Sequence, residues 1–315
     1  MNNRDHEAIR AFFDQADENG ISNEEKARTR SHVIRRVDTT PKDRSYEEAD
    51  AAQREGDLPV GVVEVDGKLI GFGIHILNED VYPLKSFEIY LRGCDLVGSL
   101  DLSGCKDVVF VDLYHNRISS VDVSDMPALR ILGLQDNKIA FLDPTGLPAC
   151  QGIDAGFNRL ENIDVSRNPE LVELYVNDNE LEKLDTSRNP KLKYLRCQNN
   201  RLTSLDVTRN PLLRHLYATG NPLKSIHAMA PGTDGLLPLS LFASSGGCVG
   251  LSFNPIYNAQ WKETGEWEQS YHAYPDNGFA FAGWFDEKGA CISTEADFDD
   301  EYGNSRQLTA RFKEA

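Results

Sequence analysis

Residues 165–181 read VSRNPELVELYVNDNEL, residues 186–202 TSRNPKLKYLRCQNNRL, and residues 207–223 VTRNPLLRHLYATGNPL. Each stretch begins 21 residues after the last and keeps the same order of Asn, Pro, two alternate apolar residues and a second Asn. A motif at constant spacing implies one structural unit stacked on copies of itself. Working outward, the second Asn becomes a column: Asn116, Asn137, Asn158, Asn179, Asn200 and Asn221. Cys94 fits one unit earlier, and Asn254 one unit later after a 12-residue insertion. Five residues before each stand Ile89, Val111, Leu132, Ile153, Leu174, Leu195, Leu216 and Val249, with a further small or apolar residue three before. Another aliphatic residue follows two positions after, from Leu96 to Ile256.

The pattern L-x-L-x-x-N-x-L marks a leucine-rich repeat. Each unit contributes a short strand whose alternate side chains point inward, and neighbours must stack to bury them. The Asn amide suits a sharp turn, where it donates to and accepts from unpaired backbone groups. Pro127, Pro148, Pro169, Pro190 and Pro211 mark where the backbone has left the sheet. Asp101, Asp122, Asp143, Asp164, Asp185 and Asp206 form another column, each followed two residues later by Ser or Thr. Stacked carboxylates suit a calcium ladder, but turn-forming Asp is the commoner use of this pairing.

The segments LVGSLDLSGC (96–105), SSVDVSDMPAL (119–129) and TSLDVTRNPLL (203–213) resemble the short repeats of bacterial surface proteins related to the internalins. The resemblance covers about residues 87–257. It implies an α/β fold: a right-handed, curved solenoid with a parallel concave sheet, which binds proteins and has no catalysis of its own.

Both ends need covers. Residues 1–86 are expected to form a helical and hairpin N-terminal cap. Ala8, Ile9, Phe12, Phe13 and Ala16 share one face of a helix over 5–19. Ser22 and Glu25 make a capping box, and Asp66-Gly67 is the turn of a hairpin. Residues 87–259 then hold eight solenoid units, with a protruding loop expected in the insertion near 227–247. Residues 260–315 read as a small β module, with Trp284 in its core. Its segments DNGFAFAGWFDEKG (276–289) and SRQLTARF (305–312) resemble a divergent internalin-type B repeat.

The net charge of −17 disfavours nucleic acid and anionic membrane surfaces as partners. No segment is long and apolar enough to span a bilayer, and the N-terminus lacks the apolar core of a secretory leader. Family resemblance points to an extracellular or cell-surface location; the cytoplasm is the alternative. The six Cys form no CxxC pair, and pairing of Cys94 with Cys105, or Cys248 with Cys291, stays open. The His residues fall in no catalytic pattern, and P-loop, GxSxG and HExxH motifs are missing, so neither enzyme, cofactor nor metal site is expected.

Function is expected on the concave face, at the positions six, four and two before each Asn. These place Tyr90, Arg92, Phe110 and Tyr114 in the early units. Glu173, Tyr175, Tyr194, Arg196, His215 and Tyr217 occupy the later ones. With strands about 4.8 Å apart, Tyr175, Arg196 and Tyr217 make one contiguous column. Tyr and Arg are enriched at binding hot spots, and the same residues also stiffen a sheet through cation–π contacts. The expected function is recognition of a protein partner by a monomer; the alternative is an architectural stalk with an inert concave face.

Overall fold

The computed structural model describes residues 14–23, 62–65, 68–72, 87–90, 92–106, 108–232, 235–257, 263–299 and 307–315. It comprises two compact units, residues 1–150 and 151–315.

In the first unit, strands Phe87–Tyr90, Val108–Asp112 and Ile131–Gly133 run parallel, with Val111 opposite Leu132. Strands Val97–Asp101 and Arg117–Asp122 form a second parallel pair. Between the two sets the chain turns at the Asn column. The Oδ1 of Asn116 accepts from the N–H groups of Cys94 (3.1 Å) and Leu96 (3.0 Å). Its Nδ2 donates to the Leu113 carbonyl at 2.9 Å. Asn137 accepts from Ile118 N–H (3.0 Å) and donates to the carbonyls of Leu113 (2.8 Å) and Leu134 (3.0 Å). One amide thus closes its own turn and ties it to the preceding coil, which explains why the interval between Asn residues is invariant. The residue before each Asn is left-handed, with φ of 54° at His115 and 55° at Asp136. Leu96, Leu113, Ile118, Leu132, Leu134 and Leu147 fill the core.

The first coil is edged by side chains. The Gln15 amide pairs both ways with the backbone of Ser99 (2.6 and 2.9 Å), and the Asn23 amide does the same with Val97 (2.8 and 2.9 Å). These amides imitate a neighbouring strand and satisfy edge groups that would otherwise lack partners. The helix expected over 5–19 does not extend through 15–19. There Asp17 accepts from the N–H groups of Asn19 and Ile21, Gly20 turns left-handed, and Ala16 bridges to Ser22. The remainder of that helix, and most of the expected second one with Glu25, lie outside the described residues. The expected hairpin is present as Val62–Val65 antiparallel to Lys68–Phe72.

In the second unit, strands Gly152–Asp154, Glu173–Tyr175, Tyr194–Arg196 and His215–Tyr217 are parallel, aligning Ile153, Leu174, Leu195 and Leu216. Those four side chains are buried. Asn179, Asn200 and Asn221 repeat the amide bridges; Asn200, for example, accepts from Leu181 N–H and donates to the carbonyls of Val176 and Cys197. A second ladder uses the Asn before each Pro. Asn189 Nδ2 donates to the carbonyls of Val165 and Asn168, both at 2.9 Å. Asn210 Nδ2 donates to those of Thr186 (2.8 Å) and Asn189 (2.9 Å), and Thr186 Oγ1 donates to Asn210 Oδ1 at 2.7 Å.

Two expectations change here. The stretch near 227–247 is not a loop: Ser225–Gly232 and Gly235–Ala243 form an antiparallel hairpin. That reversal brings the chain back the other way, so strand Gly247–Tyr257 pairs antiparallel with His215–Tyr217, Leu216 facing Phe253. The eighth match to the repeat is therefore an ordinary strand. Its buried Val249, Leu251 and Phe253 obey period-two alternation, which mimics L-x-L. Glu263–Pro275 and then Asp297–Asp299 extend this sheet. A six-stranded sheet runs in the order Ser204–Asp206, Ser225–Gly232, Gly235–Ala243, Gln307–Glu314, Phe279–Asp286 and Cys291–Ser293. Trp284 is fully buried, its ring among those of Tyr271, Phe281 and Phe298 at 5.9–6.1 Å.

The Asp column makes turns. All six carboxylates, from Asp101 to Asp206, accept the N–H of the Ser or Thr two residues on, at 2.8–3.0 Å. The six cysteines are free thiols, and burial pushes that of Cys197 up to about 12.

Candidate binding face

Strand alternation decides which side chains leave the core. In the second unit Leu174, Leu195 and Leu216 point inward, so their strand neighbours project from the opposite face in two rows. The first row is Glu173, Tyr194 and His215; the second is Tyr175, Arg196 and Tyr217. In the second row the Arg196 guanidinium carbon lies over both rings, 4.9 Å from the Tyr175 centroid and 5.6 Å from that of Tyr217. Arg196 is exposed, and the two tyrosines are half-buried. In the first row Tyr194 and His215 stack at 4.4 Å with 14° between their planes. All six residues expected at this end are therefore brought together.

Polar contacts fix the margins of this patch. Burial pushes the Glu173 carboxyl above its usual range, opposed by a hydrogen bond from Tyr175 and the charge of Arg196. Burial, and the nearby Glu173 charge, hold the Tyr175 hydroxyl above its ordinary value, so it remains a donor at neutral pH. Tyr217 donates its hydroxyl to Asn254 Oδ1 at 3.1 Å, and Asn254 Nδ2 donates to Glu268 at 3.2 Å. The antiparallel strand thus buttresses the last tyrosine, a role that the column alignment of Asn254 hides. Among the described residues, no group of three or more His, Cys, Asp or Glu side chains is placed to hold a metal ion.

The first unit matches expectation less well. The Arg92 guanidinium lies 4.3 Å over the Tyr114 ring, which meets His115 edge-on at 4.4 Å. Phe110, expected on the open face, is instead buried at 6% exposure. Both faces of its strand are covered: Val108, Val111 and Asp112 are buried alongside it. Tyr90 ends its strand opposite Asp112, and its side chain lies outside the described residues.

Phe157 is a residue that column reading passed over. It is 48% exposed and left-handed, φ 52°, where the equivalent positions carry His115, Asp136, Asp178, Asn199 and Gly220. A bulky side chain in that conformation is strained, and the odd occupant of the column was the available signal.

No protein-family model matches the sequence. No curated protein matches it. Among solved structures, the functional domain of the internalin InlJ from Listeria monocytogenes, which includes a cysteine ladder, is similar at 15% identity. That likeness covers 68% of this chain and 54% of the other, with a TM-score of 0.41. A leucine-rich-repeat protein of Leptospira interrogans is similar at 20% identity over 41% of this chain and 44% of its own, with a TM-score of 0.34. The chain spans about half the length of these structures.

Proposed function

We propose that this leucine-rich-repeat chain, similar to bacterial internalin-type proteins, is a non-enzymatic recognition protein that holds a protein partner outside the cell. The partner contacts Tyr175, Arg196 and Tyr217, flanked by Glu173, Tyr194 and His215. The observation that carries this reading is the exposed Arg196 set between two tyrosines on adjacent strands. Such a patch offers flat apolar area, hydrogen bonding and a charge on a stiff sheet, which lowers the entropy lost on binding. Arg92 and Tyr114 form a smaller patch of the same chemistry, to which we assign a supporting role together with Tyr90. The C-terminal strands, B-repeat-like in sequence, serve as the closing cover, and the protein works as a monomer.

The test is a pull-down from extracts of extracellular and surface proteins with the natural chain and with Tyr175→Ala, Arg196→Ala, Tyr217→Ala combined. Loss of one recovered protein from the triple variant, with unchanged circular dichroism, is the expected result. Equal recovery by both would favour a stalk with an inert face.

A further inference from the structure

The patch also specifies what the partner brings to it. The Arg196 guanidinium carbon lies over the Tyr175 and Tyr217 rings of the two adjacent strands, yet among the described residues no hydrogen bond or ion pair reaches its N–H groups. The Glu173 carboxyl feels both Tyr175 and the charge of Arg196, but no ion pair joins it to Arg196. A planar fork of donors held between two rings matches the two oxygens of a carboxylate, and it has little side-chain freedom left to lose on binding.

The surrounding charge narrows the anion. Glu173 and Asp154 both act on the neighbouring Tyr175, and the whole chain carries −17. A dianionic phosphate or a polyanion would meet these carboxylates as well as Arg196; a singly charged group is the tolerable guest. We infer that Arg196, clamped by Tyr175 and Tyr217, receives an Asp or Glu side chain of the protein partner. This rests on the recognition reading above and sharpens it: the partner presents one acidic residue amid otherwise neutral or apolar surface.

The probe is a random peptide library displayed on phage, selected on the immobilised full chain, with binding to Tyr217→Ala and Arg196→Gln chains measured afterwards. Peptides that lose binding on Tyr217→Ala should share an Asp or Glu. Changing that residue to its amide should weaken binding to the natural chain about tenfold, and should leave binding to the Arg196→Gln chain unchanged. Peptides that need Tyr217 but lack an acidic residue, or bind the Arg196→Gln chain equally well, would overturn the carboxylate inference and leave the recognition face standing. Selected peptides indifferent to both Tyr217→Ala and Arg196→Gln would overturn both.

Discussion

Two isosteric substitutions at equivalent places in adjacent coils should change stability in opposite directions. Thr186 and Asn210 are both buried, and the Thr186 hydroxyl donates to Asn210 Oδ1 at 2.7 Å. One coil earlier, Val165 occupies the place of Thr186, and Asn189 Oδ1 is buried with no partner among the described residues. Thr186→Val removes the donor and strands a dry acceptor, which costs about 1–3 kcal/mol. Val165→Thr supplies the missing donor and should gain about 0.5–1.5 kcal/mol, the net worth of one hydrogen bond. With a urea slope of about 3 kcal/mol/M, the first change lowers the unfolding midpoint by about 0.3–1 M and the second raises it by about 0.2–0.5 M. Urea unfolding followed by circular dichroism reads both. Because stacked repeats can unfold in parts, amide hydrogen exchange across residues 165–213 checks that the effect is local. Two shifts of the same sign would refute the claim that this ladder is governed by hydrogen-bond satisfaction rather than by packing.

Asn200→Ala should cost about 2–4 kcal/mol, because it orphans the Leu181 N–H and the carbonyls of Val176 and Cys197 at once; an unchanged melting curve would sink the bridging role. Phe157→Asn should stabilise the chain by about 1 kcal/mol, since Asn tolerates the left-handed backbone that strains Phe. A fall in melting temperature would mean that the ring contributes packing that its exposure conceals. Hydrogen bonds from the hydroxyl and N–H of Ser166 and Ser187 hold the Asp164 and Asp185 carboxyls below their usual 3.8. A lowered folded pKa adds stability above 3.8 that is lost as pH falls through the folded value. The urea midpoint should therefore drop below about pH 4 in the natural chain, and Asp164→Ala with Asp185→Ala should flatten part of that drop.

How much of this was legible depends on whether the deciding contact was periodic. The inward Leu174, Leu195 and Leu216 and the turning Asn179, Asn200 and Asn221 could be read directly, since stacking repeats each contact every 21 residues. The Tyr175–Arg196–Tyr217 column followed from the same spacing. Asn168, Asn189 and Asn210 repeat just as regularly, yet a hydropathy pattern treats Asn as exposed and cannot see that the Asn189 and Asn210 amides each donate inside to the backbone carbonyl of the Asn one coil before. Asn254 misled because alternation in any half-buried strand reproduces L-x-L, and only the Ser225–Ala243 hairpin sets its direction. Phe110 misled because the rule assumes one open face, and its strand has none. The edge pairing by Gln15 and Asn23 joins residues more than 70 apart, beyond the reach of any local signal.

The recognition face is tested most directly by placing a photo-crosslinking amino acid at position 175 or 217. A control places it at exposed Lys183, in the segment between the Asn179 turn and the Pro190 bend. Irradiation with surface extract should give one crosslinked protein from positions 175 and 217 and none from 183. Crosslinking from 183 alone, or equally from all three, would contradict a partner seated on Tyr175, Arg196 and Tyr217.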